Sequence, residues 1–318
     1  MRAYQITSFD NPPTIAQLPD PTPSPGEVLL QIESCGLNFA DLLMANGTYQ
    51  DTPPLPFTLG LEVCGTVLAH GDNVTSPAIG TRVTVFGGKG GLADKGTFPA
   101  SLCICVPDEM SSAQAAGFQV AYGTSHLALT RRAKLQAGET LLVLGAAGGV
   151  GLTAVELGKA MGARVIAVAR GADKLAIAKT AGADHLIDAG ADITKEVRAL
   201  GGADVVYDPV GGAAFSAAIK ATNREGRVLV IGFASGDLPD VKANHLLVKN
   251  ISLMGFYWGG YLSFNPDALT ESMNELMLWY SKGMLHPHVS HNLPLDQAGD
   301  ALELLRSRKS TGKVVVSP

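Results

Sequence analysis

Leu141–Leu144 (LLVL) runs directly into Gly145–Gly151 (GAAGGVG), and a helical pattern rich in Leu and Ala follows. A diphosphate needs backbone N–H donors at close range and the positive end of a helix dipole, and larger side chains would block that approach. Gly151 would also let the helix pack tightly on the strand. This strand–loop–helix pattern predicts the phosphate loop of a dinucleotide-binding fold; the alternative is a plain glycine-rich turn.

The residues after this loop alternate between strand patterns and helical patterns. The helical patterns cover residues 150–161, 173–181, 192–200 and 213–222, and a less regular one covers 240–249. The runs typical of strands are Thr140–Leu144, Arg164–Val168, His185–Asp188, Ala203–Asp208, Arg227–Ile231 and Ile251–Gly255. Six strands joined by helical crossovers predict an α/β fold with a doubly wound parallel sheet.

The residues before position 118 form a β-rich region instead. Val28, Leu30 and Ile32 alternate along one strand pattern, and further strand patterns cover 63–68 and 81–86. After residue 258, helical patterns at 266–282 and 295–308 precede a closing strand at 313–316. We expect this last segment to pack back on the β-rich region. The predicted domains are therefore a substrate domain, residues 1–118 and 258–318, and a dinucleotide-binding domain, residues 119–257.

The end of the second predicted strand bears on the choice of cofactor. Sites for NAD usually place an acidic residue there to hold the ribose diol, but this strand ends in Arg170 and Gly171. Arg170, with Lys174 one helical turn later, could hold a 2′-phosphate, because a guanidinium pairs well with phosphate oxygens. The alternative is a solvated Arg and Lys at a helix start. The pattern favours NADPH.

Composition excludes several classes of partner. The chain has 318 residues, is 46% apolar and 17% charged, and carries a net charge of −5. The sequence has no run of Lys and Arg, and no apolar window is long enough for a membrane span. Its first residues do not form a signal peptide. We therefore expect a cytoplasmic protein without nucleic-acid or membrane partners. The four cysteines form no C-x-x-C motif, which favours small buried side chains over a disulfide or metal site.

Five segments along the chain resemble the zinc-free quinone oxidoreductase (zeta-crystallin-like) branch of the medium-chain dehydrogenase/reductase superfamily. In order, they are Gly36–Asp41, Gly60–Gly65, Gly145–Gly151, Tyr207–Gly212 and Thr311–Val315. The resemblance implies a GroES-like substrate domain with a Rossmann domain inserted near the C-terminus. It also implies a cleft between the two domains and a homodimer.

The resemblance also implies roles for individual residues. Asn38 and Tyr49 would line the substrate pocket and supply an amide and a hydroxyl; the alternatives are a turn cap and a half-buried ring. The implied cofactor contacts are Thr124, Ala146, Ala147, Gly148, Gly149, Val150, Gly151, Gly232, Phe233 and Arg308. One departure is Ala189, where relatives often have a Tyr that stacks on the adenosine side.

Metal ligands of the zinc-bearing relatives are replaced in this chain. Asn38 stands where those enzymes have Cys, and Leu61 stands where they have His. Leu cannot bind zinc and Asn is a poor ligand. His286, His288 and His291 lack a nearby Cys or acid at zinc spacing, so a solvated loop is favoured over a metal site. We therefore expect no metal.

Chemistry without a metal favours a conjugated acceptor. An isolated carbonyl usually needs a Lewis acid or a proton donor, and no Tyr is followed by Lys four residues later. In a quinone, the negative charge spreads onto an oxygen that hydrogen-bond donors can stabilise. The sequence thus predicts an NADPH-dependent quinone reductase. An enal, enone or enoyl-thioester reductase is the alternative, and a non-catalytic NADPH-binding protein is a third hypothesis.

Overall fold

The computed structural model describes all 318 residues. Its strands are β1 (Arg2–Ile6), β2 (Thr14–Gln17), β3 (Glu27–Gly36), β4 (Phe57–Thr58), β5 (Glu62–His70), β6 (Arg82–Phe86), β7 (Lys95–Pro99), β8 (Ile104–Cys105), β9 (Thr140–Leu144), β10 (Arg164–Ala169), β11 (His185–Asp188), β12 (Ala203–Asp208), β13 (Thr222–Val230), β14 (Ser252–Gly255), β15 (Val289–Pro294) and β16 (Lys313–Ser317). Its α-helices are α1 (Phe39–Ala45), α2 (Ser112–Ala116), α3 (Gln119–Leu127), α4 (Gly149–Ala160), α5 (Ala172–Thr180), α6 (Ile193–Ala199), α7 (Gly212–Ala221), α8 (Ala243–Lys249), α9 (Tyr261–Phe264), α10 (Pro266–Ser281) and α11 (Ala298–Arg306).

The chain folds into two units. The first comprises Met1–Val120 and Pro287–Pro318, and the second comprises Ala121–His286. Residues 258–286 thus fall in the second unit, whereas the change of pattern at residue 258 suggested the first. Packing explains this difference: a Cβ atom on Gly123 of α3 would lie 2.6 Å from Trp258 and 2.8 Å from Met273. The roles of the units as substrate and dinucleotide-binding domains stay predictions.

The second unit contains the predicted doubly wound sheet. Its six strands are parallel and lie in the order β11-β10-β9-β12-β13-β14. All five residues of β9 are buried, as expected for a central strand covered by helices on both faces. Counted from β9, this is the strand order 3-2-1-4-5-6 of the Rossmann fold. The chain reverses direction across the sheet between β9 and β12, where such folds bind ligands.

The first unit contains a seven-stranded mixed sheet and a three-stranded sheet. The main path of the larger sheet is β15-β16-β3-β5-β6-β8, and β7 also pairs with β3. Val28, Leu30 and Ile32 of β3 are buried, which confirms the face predicted from their alternation. The closing strand β16 lies antiparallel to β3, with Val315 opposite Gly36. This pairing brings the C-terminal strand beside the start of α1.

The cysteines differ in part from the prediction. All four are free thiols, and Cys35 and Cys64 are buried, with burial raising the pKa of Cys64 to about 12. Cys105 is exposed, so the prediction of a buried side chain is wrong there. Cys103 lies between a 3-10 turn, Ala100–Leu102, and the two-residue strand β8, and is therefore not part of a strand.

None of the helices combines the length and the apolar content that crossing a membrane would require. The cytoplasmic location stays a prediction of the sequence.

Candidate active site

The phosphate loop connects β9 to α4 in the second unit. Gly148 caps α4 and is exposed, while Gly149 and Val150 are partly exposed. The N–H groups of the first three residues of a helix, here Gly149, Val150 and Gly151, have no acceptor within the helix. They lie at the positive end of a helix of 12 residues. The loop therefore offers an anion several backbone donors.

Gly151 is required by close packing within this loop. A Cβ atom there would lie 2.2 Å from the carbonyl oxygen of Gly145, far closer than atoms can approach. A buried polar network supports the loop from below: the Ser125 hydroxyl donates to the Val150 carbonyl over 2.9 Å and lies 2.9 Å from the Tyr207 hydroxyl. Thr153 of α4 donates to the Ala121 carbonyl over 3.0 Å. These bonds fix the start of α4 against α3.

The end of β10 carries the predicted basic residues. Arg170 is exposed, and Lys174 is partly exposed on the first turns of α5. Gly171 between β10 and α5 has a φ of 82°, a left-handed backbone conformation that favours glycine. Its N–H donates to Asp188 Oδ2 at 2.7 Å. A carboxylate of the neighbouring strand β11 thus holds the turn that follows Arg170.

Gly232 and Phe233 lie in the loop after β13, and this loop is bonded to the loop after β12. The N–H of Ala234 donates to Pro209 over 3.0 Å, and the N–H of Ser235 donates to Val210 over 2.8 Å. Phe233 is 39% exposed. These bonds hold Gly232 and Phe233, which the sequence predicted to contact the cofactor, at the carboxyl edge of the sheet. Thr124, on α3, is buried.

In the first unit, the partly exposed Asn38 belongs to a polar group with three buried residues, which we name the Asn38 cluster: Asn38, Asp41, Glu62 and Lys313. The Lys313 ammonium donates to Asn38 Oδ1 at 2.7 Å, Glu62 Oε1 at 2.8 Å and the Leu37 carbonyl at 2.7 Å. Glu62 is 0% exposed and Lys313 is 6% exposed. All three ammonium hydrogens therefore have acceptors, and the charges of the pair compensate each other.

The amide of Asn38 is held in one orientation by this cluster. Its Nδ2 donates to Glu62 Oε1 at 2.9 Å and to the Gly36 carbonyl at 3.3 Å, while its Oδ1 accepts from Lys313. Both amide hydrogens are engaged, so Asn38 can donate to a substrate only by giving up one of these bonds. The longer bond, to Gly36, is the weaker of the two.

Asp41 holds the backbone around Asn38. Its carboxylate accepts from the N–H of Asn38 at 2.8 Å and from the N–H of Gly60 at 3.2 Å. Complete burial raises the pKa of Asp41 to about 7, against these hydrogen bonds and the nearby Lys313 ammonium, which lower it. Asp41 thus links the start of α1 to the segment before β5.

The other predicted residues of the first unit, Tyr49 and Arg308, follow α1 and α11. Tyr49 is partly exposed and follows α1, and its carbonyl accepts from the N–H and the hydroxyl of Thr52. Arg308 is exposed, just after α11, with a φ of 55°. The structure brings Asn38 together with Glu62 and Lys313.

The histidines and acids of the structure form no constellation of three or more potential metal ligands. Leu61 is buried and has no donor atom, and Asn38 Oδ1 already accepts from an ammonium. His286 is paired with Glu156 at 3.3 Å, and His288 lies 3.0 Å from the Thr311 hydroxyl. The donor set around Asn38 therefore does not fit zinc.

Sequence reasoning missed four side chains of these sites: Asp41, Glu62, Asp188 and Lys313. Two of them carried a signal in the sequence. Glu62 lies among Leu61, Val63 and Cys64, and Lys313 begins a run of three valines. A charge inside a buried apolar strand needs a partner of opposite sign, so these two residues could have been paired.

A parallel sheet with a glycine-lined phosphate loop, together with a β-rich unit closed by a C-terminal strand, defines a two-domain dehydrogenase fold. Residues 24–108 match the family described as alcohol dehydrogenase GroES-like domain, and residues 149–278 match the family described as zinc-binding dehydrogenase. The chain belongs to the zinc-free, quinone oxidoreductase-like branch of the medium-chain dehydrogenase/reductase superfamily of oxidoreductases, as its motifs predicted.

Individual relatives cover nearly the whole chain. A quinone oxidoreductase-like protein 2 homolog from Nematostella vectensis is 39% identical over 92% of this chain and 81% of its own length. A mycobacterial protein solved in complex with NADPH superposes with a TM-score of 0.93 at 32% identity, covering 100% of both chains. The quinone oxidoreductase of Thermus thermophilus, also solved with NADPH, gives a TM-score of 0.89 at 32% identity and covers 100% of both chains. The GroES-like and Rossmann expectations are confirmed.

Proposed function

We propose that the protein is an NADPH-dependent oxidoreductase that reduces a quinone without a metal ion. The cofactor fits the residues present. The amides of Gly149, Val150 and Gly151 would hold its diphosphate at the start of α4. Arg170 and Lys174 would hold its 2′-phosphate. The NADPH complexes of the mycobacterial and Thermus relatives support this assignment.

The remaining cofactor contacts are proposed from the resemblance. The bonded loops after β12 and β13 would present Gly232 and Phe233 to the cofactor. Thr124 and Arg308 are kept as further contacts. Thr124 is 6% exposed, so only a small part of its surface would contact the cofactor. Bound NADPH would supply a hydride, and with one proton from solvent this converts a quinone to a hydroquinone.

The observation that carries the proposal of metal-free chemistry is the Lys313 ammonium. It is bonded to three oxygens, including those of Asn38 and Glu62, and the buried Leu61 beside Glu62 offers no ligand atom. A cation built into the chain thus balances the Glu62 carboxylate. Without a Lewis acid, an acceptor that delocalises its own charge is favoured, as in a quinone or a conjugated carbonyl.

Asn38 and Tyr49 are the side chains we propose to contact the acceptor. The Tyr49 hydroxyl would donate to the acceptor oxygen on which charge develops. Asn38 would donate its second amide hydrogen by exchanging its 3.3 Å bond to Gly36. Because donors to the developing charge act mainly in the transition state, Tyr49→Phe should lower kcat more than it raises KM for the quinone.

A panel of acceptors tests this function. Purified protein would be assayed by NADPH consumption with 1,4-benzoquinone, 9,10-phenanthrenequinone, an enone and crotonyl-CoA, each with and without a chelator. We expect quinone turnover that the chelator leaves unchanged. Turnover of crotonyl-CoA alone would contradict the quinone assignment, and NADPH binding without any turnover would contradict the enzyme assignment. Loss of activity with the chelator, restored by zinc, would contradict metal independence.

A homodimer is also proposed. β14 is the last strand of the parallel sheet and pairs only with β13, which leaves the other edge of β14 available to a second copy of the chain. Leu247 and Val248 of α8, just before β14, are 76% and 72% exposed. One chain has a mass of 33.0 kDa, and light scattering of the purified protein should give twice that mass. A monomer at micromolar concentration would contradict the proposal.

A further inference from the structure

Asp188 ends β11 and connects two turns at the carboxyl edge of the parallel sheet. β10 and β11 are parallel neighbours, and Ala169 lies opposite Asp188 in their register. One carboxylate oxygen of Asp188 accepts from the N–H of Gly190 at 2.8 Å, within its own turn. The other accepts from the N–H of Gly171 at 2.7 Å, across to the turn that follows Arg170. The N–H of Ala189 also donates to the Ala169 carbonyl over 2.9 Å.

The bond to Gly171 distinguishes Asp188 from an ordinary turn residue. Asp and Asn commonly close their own turn, and the bond to Gly190 does this. The bond to Gly171 joins residues 17 positions apart and connects Asp188 to the turn that follows the adjacent strand, β10. Gly171 has a positive φ, and a Cβ atom added there would meet nothing within 4 Å, so packing on that side of the residue does not restrain the turn. The Asp188 carboxylate is thus a main restraint on this turn.

The charge of Asp188 is complementary to its surroundings. Hydrogen bonds from Gly190 and Gly171 and the nearby Arg170 guanidinium hold the pKa of Asp188 below its ordinary value. The carboxylate is therefore ionised at neutral pH beside the residue proposed to bind the 2′-phosphate. Both groups are exposed, so direct repulsion between Asp188 and a bound phosphate would be strongly screened by water and salt. Restraint of the turn is the larger expected effect.

We propose that Asp188 is a specificity-determining positioning residue, which holds the Arg170–Gly171 turn so that Arg170 can bind the 2′-phosphate of NADPH. This inference rests on the proposed function, because it takes NADPH as the cofactor and Arg170 as its 2′-phosphate ligand. Asp188 acts through Arg170 and does not touch the cofactor. Its loss weakens NADPH and leaves NADH, which has no 2′-phosphate, unaffected.

The test is a double-mutant cycle read by equilibrium binding. Dissociation constants for NADPH and NADH would be measured by calorimetry for the wild type, Asp188→Ala, Arg170→Ala and the combined variant. Because each removes or misplaces a charge-assisted contact to phosphate, we expect Arg170→Ala and Asp188→Ala to weaken NADPH by about tenfold or more, with less than about twofold change for NADH. Asp188→Ala should have no further effect in the Arg170→Ala background.

Two further variants serve as controls. Asp188→Asn keeps one oxygen able to accept from an amide, so it should weaken NADPH less than Asp188→Ala does. Asp192→Ala is the matched control, because Asp192 is an exposed acid that accepts from a backbone N–H, that of Lys195 at 3.0 Å, at the start of α6. It should leave the ratio of NADPH to NADH affinity unchanged, at a melting temperature similar to that of Asp188→Ala.

The outcomes separate the inference from the proposed function. If Arg170→Ala lowers NADPH affinity selectively while Asp188→Ala does not, the inference on Asp188 is wrong and the proposed cofactor site stands. If Arg170→Ala affects both cofactors equally, the assignment of Arg170 is wrong, and the inference is overturned with it. Tighter NADPH binding by both Asp188→Ala and Asp188→Asn would show a repulsive role and overturn the positioning role.

Discussion

The phosphate loop and the Asn38 cluster are built in opposite ways. The loop consists of seven consecutive residues, Gly145–Gly151, and it acts through backbone N–H groups. The cluster acts through side chains that the fold collects from distant positions, with Asn38 and Lys313 275 residues apart. The loop lies at an exposed helix start, whereas the Glu62 carboxylate of the cluster is completely buried.

This difference determines which changes each region tolerates. A backbone site is damaged by added atoms. The N–H donors remain, but the added atoms keep the ligand away from them or keep the helix from packing against the loop. A buried charged site is damaged by removed atoms, because the remaining charge loses its partner and has no water to replace it. Variants that add a methyl group to the loop or remove a charge from the cluster therefore probe the two regions most directly.

The largest effect on stability is expected for Lys313→Met. The substitution keeps much of the volume but leaves the buried Glu62 side chain without its partner of opposite charge. Breaking a buried ion pair by removing one partner costs about 3–5 kcal/mol, so we expect the free energy of unfolding to fall by about that amount. Urea denaturation followed by circular dichroism would measure it.

A second substitution distinguishes charge from volume in this experiment. Glu62→Gln combined with Lys313→Met removes both charges and should recover most of the lost stability. Lys309→Met, at an exposed lysine in the same region, is the matched control and should change stability by less than about 0.5 kcal/mol. A Lys313→Met protein as stable as the wild type would show that the cluster is not held together by its charges.

The corresponding change in the loop is Gly151→Ala. The added Cβ would meet the Gly145 carbonyl oxygen at 2.2 Å, so the start of α4 must shift away from β9. A misplacement of about 1 Å can reduce a rate on the order of 100-fold, and we expect a loss of this size in kcat/KM for NADPH. Gly255→Ala, where a Cβ atom has open space, is the control. Equal kcat/KM values for the two variants would show that the loop does not hold the cofactor.

Most of the second unit could be predicted from the sequence because its signals are local. For five of the six predicted strands, both the first and the last residue lie within one residue of the observed bounds. The sixth, β13, begins at Thr222, five residues before its predicted start, and Thr222 lies opposite Ala203 of β12. That early start depends on pairing with another strand, which the composition of the segment does not encode. The packing of residues 258–286 against α3 also joins segments that are far apart in the sequence, so it could not be predicted from local patterns.

The Asn38 cluster shows what the sequence leaves undetermined. Asn38 was found because it stands within a motif, but its partner Lys313 reaches it only because β16 pairs with β3, Val315 opposite Gly36. The sequence predicted an amide donor at Asn38, with a turn cap as the alternative. In the fold, that amide is bonded to Glu62 and Lys313, so its direct role with a substrate requires an exchange of bonds.

The smallest expected effect concerns the pH dependence of stability, and it compares Asp41→Asn with the wild type. In the fold the pKa of Asp41 is about 7, well above its ordinary value of 3.8, so the folded state binds the proton more tightly than the unfolded state. The stability contributed by Asp41 is therefore fully present below its unfolded pKa and is lost as the pH rises through 7. Asn has no charge to lose, so its contribution is constant.

The stability of Asp41→Asn relative to the wild type should accordingly rise by roughly 2 kcal/mol between pH 5 and pH 8. Asn can accept only one of the two backbone N–H bonds that Asp41 accepts, but this loss is an offset independent of pH. Asp192→Asn is the control, because Asp192 is exposed. A difference between Asp41→Asn and the wild type that stays flat from pH 5 to pH 8 would show that Asp41 is not protonated near neutrality. Burial would then not dominate the electrostatics of the cluster, and the contrast with the exposed loop would not hold.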